Sequence, residues 1–318
     1  RSTLFPYTTL FRSTNLMAQI IESIPNISEG RRPEIVEACV DEIRNTAGCT
    51  LLDYSSDESH NRSVITYIGD AKAVEEASVR LVKKAAELID LTKHEGEHPR
   101  MGAVDVMPFL PIKDCTTEDC VELSKVVGKR IAEEAKVPVF LYESSATRPE
   151  RQNLVKIRKG QFEGMAEKVK EADWEPDFGG RTIHPKAGVI AVGARPPLVA
   201  FNLNLDTDNV EIAKNIAKII REKDGGFKCV KSMGFEIVEE DTGKKYAQVS
   251  CNMTNYEQTP LYRVVETVKT EAARYGVRVT GTEIIGLCPM KALSDCAEYY
   301  MQINGFDFRK QVLENHIL

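Results

Sequence analysis

The sequence predicts a mixed α/β protein made of two consecutive β-α-β-β-α-β units. Three observations carry that prediction. Apolar residues switch between a period near two and a period near 3.6 in the same order twice along the chain. Glycine, proline and polar clusters punctuate the switches. Between the two passes, ARPP (194–197) interrupts helix and ladder alike, because proline lacks a backbone donor and fixes φ.

The elements follow in order. Residues 18–24 form a short strand candidate. Pro33 suits a first helical position, and Ile35, Val36, Cys39, Val40 and Ile43 keep helical spacing until Gly48 stops the run. CTLLDY (49–54) and RSVITYIG (62–69) read as strands joined by a polar loop. An amphipathic helix over 71–90 and the strand VDVMPFLPI (104–112) complete a split βαβ of the ferredoxin-like kind. A helix over 117–136, the strand VPVFLYES (137–144) and a helix over 161–173 extend it. The second pass runs strand 197–205, helix 210–223, strands 227–239 and 245–253, helix 259–275 and strand 277–285. The expected subdomains are therefore 17–196 and 197–318, with a ligand groove between them.

Composition narrows the function classes. A chain of 318 residues, 42% hydrophobic and 28% charged, has room for two soluble domains. A formal charge of −6 argues against a general nucleic-acid or anionic-membrane binder, and leaves room for local basic clusters that take small acidic ligands. No run approaches the 18 apolar residues of a membrane helix. Eight scattered cysteines lack zinc-ribbon spacing and read as reduced, packed thiols of a cytoplasmic protein. RSTLFPYTTLFRSTNL (1–16) carries no acidic residue, echoes itself (STLFP, TTLFR) and lacks a signal-peptide layout. It reads as a non-native, adapter-derived segment, with Met17 as the expected start. Without Arg1 and Arg12 the charge moves from −6 to −8.

HEGEH (94–98) spells H-E-x-x-H, the zinc-peptidase pattern. That pattern works on a helix, where residues four apart share a face. Gly96 costs about 1 kcal/mol in a helix interior, and Pro99 pushes His98 toward extended geometry. None of His60, His184 and His316 stands at a recognisable third-ligand offset, so no metal is expected. His94 reads as a solvated loop residue. His98 reads otherwise, because loops that enter a core strand concentrate functional side chains. Nucleotide signatures are missing: Gly188 to Gly193 has phosphate-loop spacing but continues Ala-Arg.

Five stretches, IPNISEGRRPEIV (24–36), LLDYSSDESHNRSVITYIG (51–69), EGEHPRMGAVDVMPFLP (95–111), EPDFGG…HPKAGVIAVGAR (175–195) and AQVSCNMTNYEQTPL (247–261), together closely resemble glutamate formimidoyltransferase. The resemblance runs from Met17 to about Leu318 and implies the stand-alone bacterial type, similar to the N-terminal part of formimidoyltransferase–cyclodeaminase. It implies two ferredoxin-like subdomains with tetrahydrofolate, a co-substrate, bound between them, and a homodimer. The implied reaction moves a formimidoyl group between N-formimidoyl-glutamate and N5 of tetrahydrofolate, in histidine breakdown. The family's catalytic histidine falls on His98. Its folate-contacting segment falls on Gly179, Gly180, Arg181, Thr182, Ile183, His184, Pro185, Lys186, Ala187 and Gly188. Animal members carry an aspartate where this chain has Ser55, with Asp57 the nearest replacement.

The chemistry explains these residue types. An attacking amine must lose a proton and a departing amine must gain one, and a side chain with a pKa near 7 can serve both. The adduct is cationic, so carboxylates would stabilise it: Glu97, Asp53 and Asp105 are the candidates, with Asp105 also expected among the substrate or folate contacts. Both substrates carry carboxylates, which suit the planar fork of arginine. Arg62 and Arg100 lie in the matched motifs beside Asn61, while Arg31, Arg32, Arg181 and Lys186 are candidates along the folate tail. Asn26 could donate to pterin or glutamate. Formyl transfer from 5-formyltetrahydrofolate, or folate binding without catalysis, remain alternatives.

Overall fold

The computed structural model describes residues 19–239 and 242–316, so the expected non-native segment and Met17 lie outside the described residues. Contacts divide the chain into one unit ending at Arg195 and another beginning at Pro196.

In the first unit, β1 (Ile20–Ser23) and β2 (Asn26–Ile27) form one strand path, broken where Pro25 offers no donor. Then come α1 (Pro33–Arg44), β3 (Cys49–Asp57), β4 (Arg62–Gly69), α2 (Ala71–Leu88) and β5 (Val104–Lys113). The β1/β2 path lies between β4 and β5, antiparallel to both, with β3 outside β4. The chain continues through α3 (Thr117–Glu134), β6 (Val139–Glu143), α4 (Leu154–Arg158), α5 (Gln161–Lys168) and β7 (Ile190–Ala194). β7 inserts between β5 and β6, parallel to both. Helices α1, α2 and α3 bury one sheet face through Ile21, Ile65, Tyr67, Phe109 and their neighbours. On the opposite face α4 and α5 pack Ile157 and Met165 against Val106, Phe140 and Ala191. Polar chemistry sets the ends. Asp70 caps α2 by accepting from the Ala73 amide at 2.9 Å, and Thr116 with Asp119 forms a capping box on α3.

The second unit runs β8 (Val199–Leu205), α6 (Val210–Ile220), β9 (Val230–Val238), β10 (Lys245–Met253), α7 (Leu261–Ala273), β11 (Val279–Ile285), α8 (Met290–Met301) and α9 (Phe308–Gln311). Its sheet is antiparallel in the order β11-β8-β10-β9. The apolar stripes of α6 and α7 cover it around Phe201, Leu203, Val249 and Val264.

Three local outcomes differ from expectation. The β3–β4 loop is shorter than its polar letters suggest, because β3 keeps its ladder to Asp57 and leaves Asn61 to turn at φ 49°. The helix expected over 161–173 ends at Lys168, followed by a 3-10 turn at Ala172–Trp174. Strand β7 is buried at all five residues; such a run has no face alternation to read.

One irregularity places the site. Asn26 pairs with Val106 and Ile27 with Val104, so Asp105 is an extra residue in β5. A bulge of this kind re-aims the side chain it carries.

Close backbone approach at the start of β5 requires glycine. A Cβ on Gly102 would stand 1.9 Å from the Val189 carbonyl oxygen and 2.5 Å from that of Val104. Gly102→Ala is therefore expected to lower unfolding free energy by about 3 kcal/mol or more. Gly164→Ala, whose Cβ meets nothing within 4 Å inside α5, is expected to gain about 0.5–1 kcal/mol. Urea unfolding of both variants checks the contrast, and equal midpoints would contradict it.

Candidate active site

Two loops build the site. The segment between α2 and β5 is irregular, as Gly96 and Pro99 lead one to expect. Its Glu97 and His98 amides donate to the carbonyls of Ser59 (3.2 Å) and His60 (3.3 Å) in the β3–β4 turn. Gly96 is obligatory here, since a Cβ would stand 2.5 Å from the His60 oxygen. Asn61 locks the turn: its Oδ1 accepts from the Gly30 amide and its Nδ2 donates to the Glu95 carbonyl, each at 2.9 Å.

His98 is 2% exposed, and its Nε2 stands 3.6 Å from Asp105 Oδ2, too long for a hydrogen bond. Among the described residues that Nε2 has no hydrogen-bond partner. Asp105 is fully buried. Its Oδ1 accepts from the Met101 amide at 2.8 Å, and its Oδ2 accepts from Arg158 Nε at 2.7 Å and from Arg158 Nη2. The sequence placed Asp105 among ligand contacts; its oxygens are instead spent on the loop, on α4 and on facing His98. Sequence reading missed Arg158 altogether, since nothing in α4 hints that it reaches a strand 53 residues away.

His94 is not the solvated residue expected. It is half-buried, with Nε2 2.9 Å from the Asn61 carbonyl and Nδ1 accepting from Arg100 Nε at 3.1 Å. Those partners fix the neutral tautomer with its proton on Nε2. Arg100, expected at a substrate carboxylate, is 7% exposed and forks onto Glu163 at 2.6 and 2.9 Å.

Arg62 differs. It opens β4 opposite Asp57, and its buried Nε has no partner among the described residues. Strand register puts Arg62, Asn26 and Asp53 on the sheet face away from α1 and α2. Glu22, which sequence reading also missed, shares that face; burial pushes its carboxyl up while the Arg195 charge pulls it down. A charged letter in the alternation of IIES was its available signal. Glu97 and Asp53 are exposed.

The segment from Gly179 to Gly188 divides in two. Gly179, Gly180, Arg181 and Thr182 are exposed, with Arg181 tied to Glu175 at 2.7 Å. Ile183 packs partly against the Met101 cluster. His184 Nδ1 accepts from the Lys186 and Ala187 amides at 3.2 and 2.9 Å, which curls the chain around Pro185. The curl is stitched to the first loop: Ala103 donates to Ala187 at 2.9 Å, Val189 to Met101 at 3.1 Å and Leu91 to Lys186 at 2.9 Å. Arg31, Arg32 and Lys186 share a cleft of about 490 Å³ with Asn61 and His94. No group of three metal-ligating side chains occurs among the described residues.

A buried imidazole with an open nitrogen beside a carboxylate, set in an α/β scaffold, is the kind of arrangement that proton-transfer enzymes use. Comparison with known proteins makes the assignment specific. Residues 20–195 match the model of the formiminotransferase domain, N-terminal subdomain, and residues 200–315 that of the formiminotransferase domain. Glutamate formimidoyltransferase of Streptococcus pyogenes serotype M1 is 61% identical over 95% of this chain and 100% of its own length. That of Thermoplasma acidophilum is 47% identical over 91% and 94%. Mouse formimidoyltransferase-cyclodeaminase is 42% identical over 89% of this chain and 53% of its own length. The chain belongs to the formiminotransferase family.

The His94 contacts set a pH test. Loss of solvation holds His94 below the usual histidine value, against the pull of the Asn61 carbonyl. Its stabilising contribution is thus complete above about pH 6.5 and is lost as pH falls through the lower folded value. Amide exchange at residues 94–98 should quicken on acidification, relative to the rest of the unit, and His94→Gln should flatten that dependence. Identical profiles would contradict the assignment.

Proposed function

We propose that this protein transfers a formimidoyl group between N-formimidoyl-L-glutamate and N5 of tetrahydrofolate, with His98 carrying the proton. Two buried polar atoms without partners among the described residues, His98 Nε2 and Arg62 Nε, support the reading most directly. A buried donor or acceptor left unsatisfied costs about 1–3 kcal/mol, a cost that ligand binding recovers. The third such atom, Arg151 Nε, is different: that arginine is anchored to Asp177 at 2.8 Å and stacked over Phe140, away from both loops.

In the forward direction the attacking amine adds to the formimidoyl carbon to give a tetrahedral adduct, which collapses as the bond from that carbon to the glutamate nitrogen breaks. His98 Nε2 takes the proton from the attacking amine and returns it to the departing one. During that interval the ring is cationic, and Asp105 at 3.6 Å offsets the charge. Asp53 and Glu97, both exposed, offer charge to the cationic adduct. Arg62 takes a substrate carboxylate, whereas Arg100 serves the loop. Asn26 and Asn61 line the approach, and the curl from Gly179 to Gly188 borders the folate. Each unit reads as a ferredoxin-like derivative, a reading supported by the order in which the β1/β2 path and β8 lie between their neighbours.

The test is loss of formimidoyl-glutamate in the presence of tetrahydrofolate, run beside 5-formyltetrahydrofolate with glutamate. His98→Ala is expected to lower kcat about 10²–10⁴-fold; near wild-type turnover in a folded variant would end the assignment. Arg62→Met is expected to raise KM for the glutamate substrate roughly tenfold or more with little change in kcat. A kcat loss at unchanged KM would assign Arg62 elsewhere.

A further inference from the structure

We propose that Arg158 is a positioning residue for His98: it holds Asp105 Oδ2 away from the ring, and so leaves Nε2 unpaired for the substrate amine. The proposal rests on the proton-carrying role of His98. Asp105 Oδ2 is shared between two cations in waiting. Arg158 binds it through Nε at 2.7 Å and through Nη2, while His98 Nε2 stands back at 3.6 Å. A fully buried carboxylate without a counter-charge is strongly unfavourable, so Asp105 must be paired with one of them. If Arg158 is the pair, the ring stays free to take a proton from an amine. If His98 were the pair, it would close to charge-assisted hydrogen-bond distance, near 2.8 Å, and hold its proton. Arg158 decides between these states.

The short helix α4 is built to deliver Arg158. Asn153 starts it by accepting from the Val155 amide at 2.9 Å, and Ile157 anchors it in the core. Its end is clamped by Lys168 of α5, whose Nζ donates to the carbonyls of Lys156 and Ile157 at 2.7 Å and of Lys159 at 3.1 Å. That ammonium also lies 4.0 Å from the centre of the Trp174 ring. Five residues would not hold a helix alone, so these contacts fix the direction in which Arg158 leaves it. The other charged or titratable groups around the His98 loop and Arg158 include His94, Glu95, Glu97, Arg100, Glu163, Asp57, His60, Arg62, Glu29 and Tyr142. Arg100 pairs with Glu163, Asp57 with His60 and Glu29 with Arg32, so none of those competes for Asp105.

Proton titration of the His98 ring, followed by NMR of imidazole-labelled protein, tests this without depending on turnover. In Arg158→Gln the His98 midpoint should move up by about one pH unit or more relative to wild type. The pH profile of kcat should move the same way, with kcat at neutral pH down about tenfold and KM within about twofold. Lys168→Met, which removes the clamp and leaves the pair intact, should move the midpoint in the same direction by less. A midpoint unmoved in Arg158→Gln, or in Lys168→Met should the first variant fail to fold, overturns the proposal. So does a kcat loss equal at every pH. Wild-type turnover in His98→Ala would instead remove the underlying reading and leave the titration result standing.

Discussion

The site depends on one backbone junction. At Met101–Ala103 three chain segments meet with almost no space between them. Met101 accepts from the Val189 amide, Ala103 donates to Ala187, and Ser28 donates to the Gly102 and Ala103 carbonyls through its hydroxyl (2.7 Å) and amide (2.8 Å). The contact requires glycine at 102 and again at 188, where φ is +67° and a Cβ would stand 2.1 Å from the Met101 oxygen. Everything functional hangs from this knot. It ends the His98 loop, begins the bulged strand that carries Asp105, and ties on the curl that follows Gly179.

Given the knot, charge does the rest by division of labour. The two histidines of HEGEH, which on a helix would share a metal, face different partners. His94 is consumed by Asn61 and Arg100 and stiffens the loop. His98 is left with an unpaired nitrogen, among the described residues, beside a carboxylate that a third element, α4, already pairs. The same logic separates the arginines. Arg100 and Arg151 are committed to Glu163 and Asp177, whereas the buried Nε of Arg62 has no partner among the described residues. Buried polar groups are normally satisfied, and among the described residues the two exceptions beside these loops are what the proposed site rests on.

Much of this was legible in the sequence, for identifiable reasons. Periodicity located the strands and helices whose faces differ in polarity, such as α2 and β4. It was silent on β7, buried throughout, and on α4, too short to show a period. His98 stood out because Gly96 and Pro99 rule out a helix around it. The pairing of Asp105 with Arg158 was beyond reach, since a bulge and a contact across 53 residues leave no local signature. His94 was misjudged as solvated for the same reason: its partners, Asn61 and Arg100, are adjacent in space and scattered in the chain.

The central claim is that the His98 loop is preorganised by the junction rather than assembled by substrate. Amide hydrogen exchange of the ligand-free protein tests it directly, read at Val189 and at Ala103. If the account is right, both amides exchange together, at rates approaching global unfolding of the first unit, and added tetrahydrofolate slows them little. Fast local exchange at these amides, with protection appearing on adding folate, would contradict it.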